Sequence, residues 1–333
     1  MNTLATYIHN LDPVLLEIPG TPLALRWYGL AYVAGFVLGY LVLLQLSKRK
    51  LYCVEPEKLG DFITIVCIFG VLMGGRLGEF FFYWLPKEGW SGLCADPLWV
   101  LRVWEGGMAS HGGILAVLCV AIWYAVKNKH SICAISDGLA IVCTIGLFCG
   151  RVANFINGEL FGRVTTADNP IAMKFPMELA TLPAEQQRAA LQAIVETTGA
   201  PFSFLAQPNE GFYDTVLRLM RESEPVREAV GQFLTPRYPS QLFEAVGEGL
   251  IIFVILITLR LKWKNAPDGI FASLFCLLYA AARIASECFK EPDADVWHGI
   301  TQGQYLSFGV ILLGIFFLIP AIRNLKTKKL QKN

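Results

Sequence analysis

No two cysteines in this sequence stand as CxxC, although nine are present. That removes the commonest spacing for a redox pair or a structural metal site. Cys67, Cys119, Cys143, Cys149 and Cys276 lie inside apolar runs, where a thiol serves as a small apolar filler. HExxH, GxSxG and the P-loop are missing as well, so the sequence points away from a zinc-dependent peptidase, a serine hydrolase of the nucleophile-elbow type and a nucleotide hydrolase. No metal and no cofactor is expected. Charged residues make up only 17% of the chain and nearly cancel, to a net +1, so no global field invites nucleic acid. The start, MNTLATYIHNLDPVLLEIPG, lacks a basic opening followed by an apolar core and a small-residue cleavage site; no removed signal peptide is expected. Internal repeats and low-complexity tracts are absent too.

What the chain has in abundance is apolar length. Hydrophobic residues account for 54% of it and mean hydropathy is +0.48, above an ordinary soluble domain, which makes a membrane protein the first hypothesis. Stretches near the ~20 residues that cross a bilayer occur at 27–46, 62–84, 110–126, 132–156, 241–261, 269–289 and 304–322. The expected fold is therefore all-α and polytopic, with seven transmembrane helices.

The gaps between these stretches fix an orientation. Lys48, Arg49, Lys50 and Lys58 fill the first, Lys127 and Lys129 the third, Arg260, Lys262 and Lys264 the fifth, and Arg323, Lys326, Lys328, Lys329 and Lys332 the tail. Even gaps carry far less positive charge near the span ends. The positive-inside rule then puts odd gaps in the cytoplasm, the N-terminus outside and the C-terminus inside. The long gap 163–238 falls outside and contains two amphipathic helical patterns, LPAEQQRAALQAIVETTG and GFYDTVLRLMRES, a small extracytoplasmic cap. The domain reading is 1–162 for helices one to four, 163–238 for the cap, 239–322 for helices five to seven and 323–333 for a basic tail.

An ionisable group inside a span costs roughly 2.5–3.5 kcal/mol on insertion scales, so each one needs a partner, a wet cavity or a function. Arg76 and Glu79 stand in GGRLGEF, His111 in GMASHGG, Arg151 and Asn154 at the end of the fourth span, Glu244 and Glu248 at the opening of the fifth, and Tyr279, Arg283 and Glu287 at the close of the sixth. Tyr28 sits where the first begins. With odd spans running outward to inward, all of them share the outer leaflet. Residues three or four apart lie on one helix face, so Arg76 with Glu79, Arg151 with Asn154, Glu244 with Glu248, and Tyr279 with Arg283 and Glu287 can each point inward together. The expectation is one site.

Arginines backed by carboxylates suit a phosphate, because guanidinium forks bind its oxygens bidentately. Phospholipid is the abundant phosphate at that depth. His111 is the one histidine placed there and can take a proton near neutral pH. Ser110 beside it does not make a protease pair, since neighbours in sequence project about 100° apart on a helix. A transporter or flippase of an anionic lipid or organic phosphate is the alternative from another class; it calls for polar residues in both membrane halves, whereas the inner half carries little beyond Asp61 and Asp137.

HGG at 111–113, GRVANFINGELFGR at 150–163, RYPSQLFEAVGEG at 237–249 and RIASE at 283–287 resemble the prolipoprotein diacylglyceryl transferase family over nearly the whole chain. The densest match is to G-R-x-x-N-F-x-N-x-E-x-x-G, from Gly150 through Gly162. The resemblance implies an enzyme of the bacterial inner membrane, working at its outer face, that moves the diacylglyceryl group of phosphatidylglycerol to the lipobox cysteine thiol of a prolipoprotein and releases glycerol phosphate. It also implies roles for Tyr28, His111, Arg151, Asn154, Glu159, Arg283 and Glu287, with Gly112 and Gly162 structural. On this reading His111, Arg151 and Arg283 are catalytic, Tyr28, Gly112, Asn154, Glu159, Gly162, Tyr279 and Glu287 bind substrate, and Arg76, Glu79, Glu244 and Glu248 support them. The partners implied are phosphatidylglycerol, prolipoprotein signal peptides and membrane lipids, with no nucleic acid. Between Phe175 and Arg237 the chain looks longer than the family pattern.

Overall fold

The computed structural model describes residues 6–17, 24–96, 98–102, 107–207, 210–292 and 298–330. Helix dominates. Among the described residues, five helices are long and apolar enough to cross a membrane: α1 (Trp27–Lys48), α2 (Pro56–Gly92), α4 (Ile132–Asn157), α8 (Ser240–Lys262) and the first 22 residues of α10 (Gln302–Leu330). Two shorter apolar helices accompany them, α3 (Ser110–Lys127) and α9 (Ile270–Ser286). The chain is thus a multi-pass membrane protein. The seventeen residues of α9 rise only about 25 Å, because the backbone turns over Cys288 and Phe289 immediately after Ser286.

Among the described residues, two short strand pairs interrupt the all-helical pattern. β1 (Tyr7–Ile8) runs parallel to β4 (Met173–Lys174), and β2 (Val14–Glu17) pairs antiparallel with β3 (Ala24–Arg26). Two- to four-residue pairings of this kind carry too little periodicity to be read from a sequence.

By contacts the chain divides into two compact units, 1–35 with 146–252 and 278–310, and 36–145 with 253–277 and 311–333. In the first, the segment after α4 builds a small domain from α5 (Ala184–Thr198), α6 (Phe212–Glu222) and α7 (Glu224–Gly231). Pro183 leads into α5, and Gly199 closes it in the left-handed conformation, φ 67°, where a Cβ would cost energy. Ser223 caps α7 by accepting from Val226 N, with Pro225 in the first turn. Ile194, Val216, Met220, Val226 and Val230 interlock as its core, and Ile8 from β1 packs on them. Full burial of each such side chain is worth about 1.5–3 kcal/mol. On the surface, Arg218 donates to Glu210 and holds that carboxyl down to about 2.

In the second unit, α2 is wound irregularly, with π-helical turns at Val66–Leu72 and Phe80–Trp84, and it meets α3 at glycines. A Cβ on Gly112 would stand 2.4 Å from Gly78 Cα and from Gly74 O, so only hydrogen fits there. α1 and α3 both end on lysines in the left-handed conformation. Lys50 has φ 58° and Lys129 φ 57°, with Leu51 N bonded to Leu46 O at 2.8 Å and His130 N to Ala125 O at 2.9 Å. Glycine is usual at such closures; lysine adds a cation beside the free carbonyls of the helix end.

Candidate active site

The stretch 150–163 is the end of α4 and the turn that follows. Gly158, φ 69°, and Leu160, φ 54°, are both left-handed and flank Glu159. A branched residue there is strained, and neighbours hold it in place: Gln241 donates to Glu159 O at 2.6 Å and Ser240 to Leu160 O at 3.2 Å. The Glu159 carboxylate is thereby aimed back at the helix, where Asn154 Nδ2 donates to its Oε1 at 2.8 Å and Asn157 Nδ2 stands 3.4 Å away. Gly162 passes between two chain segments. Its N–H donates to Tyr238 O at 2.8 Å, and a Cβ would lie 2.4 Å from Phe289 O.

Beside this turn lies a knot of charge drawn from α4, α8 and α9. Arg283 Nη1 donates to Glu244 Oε1 at 2.7 Å and reaches Glu248 Oε1 at 3.5 Å, while Nη2 pairs with Glu287 Oε1 at 2.8 Å, one helical turn on. Arg151 approaches from α4, Nη1 standing 2.9 Å from Glu244 Oε2 and Nη2 3.9 Å from Glu248 Oε2. Among the described residues none gives either of those two carboxylate oxygens an aligned hydrogen bond, so distance and charge hold Arg151, whereas geometry as well holds Arg283. Glu244 and Glu248 are completely buried. Glu248 sits in the π-helical turn Ala245–Ile251, pinned where Gly249 packs on the backbone of Phe148. Extra residues in such a turn redirect side chains at functional sites. Ser286 donates to Glu248 Oε1 at 2.8 Å and secures its second face.

Cations drawn partly out of water need an anion, and here the buried Glu244 and Glu248 supply it from within the protein. Each guanidinium offers five N–H donors. The described contacts of Arg151 engage only its Nη atoms, which leaves donors for an arriving phosphate.

The other residues singled out in the sequence divide between the units. Tyr28, half-buried, packs on Tyr32 with ring centroids 5.4 Å apart, and Tyr32 in turn lies within electrostatic range of Glu159. Tyr279 is within the same range of Glu248, Arg283, Arg151 and Glu244. Arg151, Asn154, Glu159, Gly162, Glu244, Glu248, Tyr279, Arg283, Glu287 and Tyr28 therefore belong to one unit. Arg76, Glu79, His111 and Gly112 belong to the other. There the Arg76 guanidinium donates to the carbonyls of Trp99, Val100, Arg102 and Gly107 and lies 4.0 Å over the Trp99 ring. It fastens residues 99–102 and Gly107, a task that its helical spacing from Glu79 did not announce. His111 is exposed in the first turn of α3.

Sequence reasoning passed over several residues that shape the site. Gln241 and Ser240 stand within RYPSQLFE, beside glutamates that drew attention by their charge. Arg237, in the same stretch, donates to Glu178 at 2.8 Å and to Gly162 O at 3.1 Å, tying the small domain to the turn. His9 is buried, stacks on Phe175 at 5.6 Å, meets the Phe155 ring edge-on at 5.3 Å and lies behind Gly158. Burial pushes its imidazole below the ordinary range. A lone N-terminal histidine gave no signal of this.

Compared with known proteins, residues 13–320 match the family model for prolipoprotein diacylglyceryl transferase. The chain is 38% identical to a phosphatidylglycerol-prolipoprotein diacylglyceryl transferase of Bdellovibrio bacteriovorus, over 94% of this chain and 93% of that one. It is similar to proteins of the same name from Proteus mirabilis, at 36% identity with 94% and 93% covered, and Yersinia enterocolitica, at 35% with 94% of each covered. With the helices, the 150–163 turn and these relatives in agreement, the chain belongs to the prolipoprotein diacylglyceryl transferase family.

Proposed function

We propose that this enzyme transfers the diacylglyceryl group of phosphatidylglycerol to the lipobox cysteine of a prolipoprotein. The cysteine sulfur attacks the glycerol carbon that carries the phosphate, a C–S thioether bond forms, the C–O bond to phosphate breaks, and glycerol phosphate leaves with the bonding electrons. The observation that carries this reading is the Arg151–Glu244–Arg283 knot beside the Asn154–Glu159 turn, in a chain whose relatives bear that name. The comparisons lend nothing to the transport alternative.

Charge grows on the phosphate as the bond breaks, and preorganised cations stabilise it best where water is scarce. Arg151 and Arg283 take that part. Glu287 fixes the Arg283 fork, and Glu244 and Glu248 keep both guanidiniums oriented. Asn154 and Glu159 shape the pocket for the glycerol headgroup, with Tyr28 and Tyr279 beside it and Gly162 allowing the close turn. A thiol of pKa near 8.5 has to lose its proton to attack; His111 is the group that accepts it, with Gly112 allowing α3 its close packing.

The same reading gives seven spans, adding α3 and α9 to the five long helices, with the N-terminus outside and the C-terminus in the cytoplasm. It puts the small domain of 163–238 at the outer face of the bacterial inner membrane, between a first membrane domain, 1–162, and a second, 239–322, followed by the basic tail. Lipidation of a lipobox peptide by purified protein in phosphatidylglycerol bilayers tests the activity. Mass increase by one diacylglyceryl group, absent when the peptide cysteine is serine, is the expected result; an unmodified peptide refutes it.

A further inference from the structure

The first turn of α10 closes against the same knot. A Cβ built on Gly303 would stand 2.0 Å from Glu287 Oε1, 2.7 Å from its Cδ and 3.2 Å from Arg283 Nε. No real Cβ tolerates such distances, so any side chain at 303 must move Glu287, the group that holds Arg283 Nη2 at 2.8 Å. The turn that presents Gly303 is itself fixed: Thr301 N donates to Gln304 Oε1 at 3.1 Å and Gln304 N to Thr301 Oγ1 at 3.3 Å, a reciprocal cap. Ser307 adds a bond to Gly303 O at 2.7 Å. The buried carboxylate of Glu287 thus lies between a guanidinium and the positive end of a helix of 29 residues.

We infer that Gly303 is a positioning residue for the transfer reaction: its missing side chain lets the capped start of α10 and the Glu287 carboxylate together set the Arg283 fork. This rests on the proposed phosphate-gripping role of Arg283 and adds a residue to it. Gly303 touches neither substrate, and its effect passes through Glu287. Nothing else in the turn demands glycine, because the residue is helical and alanine is the better helix former.

The test compares wild type with Gly303→Ala, Glu287→Asp, the double variant, and Gly309→Ala, where an added Cβ meets nothing within 4 Å. Each is assayed for lipidation of a lipobox peptide in phosphatidylglycerol nanodiscs and for its melting temperature. Gly303→Ala is expected to lower kcat roughly 100-fold, the usual consequence of misplacing a reacting group by about 1 Å, with a melting temperature that falls less than that of Arg283→Lys. Aspartate is one methylene shorter and makes room for the methyl, so the double variant regains at least about tenfold over Gly303→Ala alone. Gly309→Ala remains as active as wild type. Full activity of Gly303→Ala, or a double variant as poor as the two losses combined, overturns the inference. An inactive wild type refutes the proposed activity instead, and the two failures cannot be confused.

Discussion

Arg151 and Arg283 approach one carboxylate from its two sides: Arg283 Nη1 lies 2.7 Å from Glu244 Oε1, and Arg151 Nη1 2.9 Å from Glu244 Oε2. A completely buried glutamate therefore sets the spacing of the two cations.

Glu244→Gln keeps the size and the oxygen facing Arg283 but turns an amide toward Arg151. Removing one partner of a buried pair costs about 3–5 kcal/mol. The variant is expected to melt well below wild type and to lose most of its transfer activity. A thermal melt in detergent, run beside the lipidation assay, checks both.

The arginines differ in how they are held, and their lysine variants are expected to differ too. Lysine keeps the charge and discards the fork. Arg283→Lys gives up a two-armed grip on Glu244 and Glu287, so stability and activity fall together. Arg151→Lys gives up contacts that lack aligned hydrogen bonds, so activity falls while the melting temperature stays near wild type. Equal melting losses in the two variants would contradict the distinction.

Gly158 combines φ 69° with a Cβ position 3.1 Å from His9 Nδ1. Alanine there pays the left-handed cost, roughly 1–2 kcal/mol, and pushes on the imidazole. Because the same turn aims Glu159 at Asn154, Gly158→Ala is expected to raise KM for phosphatidylglycerol more than it lowers kcat. Steady-state kinetics at varied lipid fraction decide.

His9 supplies a pH dependence whose sign follows from its environment. Burial lowers its folded-state pKa below the ordinary histidine value of 6.5, so the folded protein prefers the neutral ring. Above the unfolded value its contribution to stability is fully present. As pH falls below that value the unfolded chain takes up the proton first, and stability drops until the folded ring protonates too. The melting temperature is expected to fall between pH 7 and pH 5, and to fall less in His9→Phe. An identical slope in the variant would assign the effect to other groups.

Much of the membrane architecture was legible because it rests on counting. Runs of apolar residues and lysine-rich gaps mark α1, α2, α4, α8 and α10 plainly, and the charge within RIASE falls at helix spacing, so the Arg283–Glu287 pair could be anticipated from i,i+4 geometry. What escaped was whatever depends on polar but uncharged atoms or on missing ones. Gln241 and Ser240 act through backbone carbonyls, and Gly303 through space left open; neither leaves a periodic trace. The π-helical turn under Glu248 is set by packing against Phe148, across more than ninety residues of sequence. Arg76 looked like the partner of Glu79 by spacing, yet its described bonds run to carbonyls of a neighbouring segment, which spacing along one helix cannot reveal.

The central claim is that two guanidiniums spaced by Glu244 grip the phosphate that leaves as sulfur bonds to glycerol carbon. Single-turnover lipidation of a lipobox peptide by wild type and Arg283→Lys, in nanodiscs with phosphatidylglycerol in excess, tests it most directly. The account predicts diacylglyceryl transfer by wild type and a rate at least about 100-fold lower for the variant, the loss typical of removing one preorganised donor from developing charge. An Arg283→Lys rate equal to wild type would contradict it.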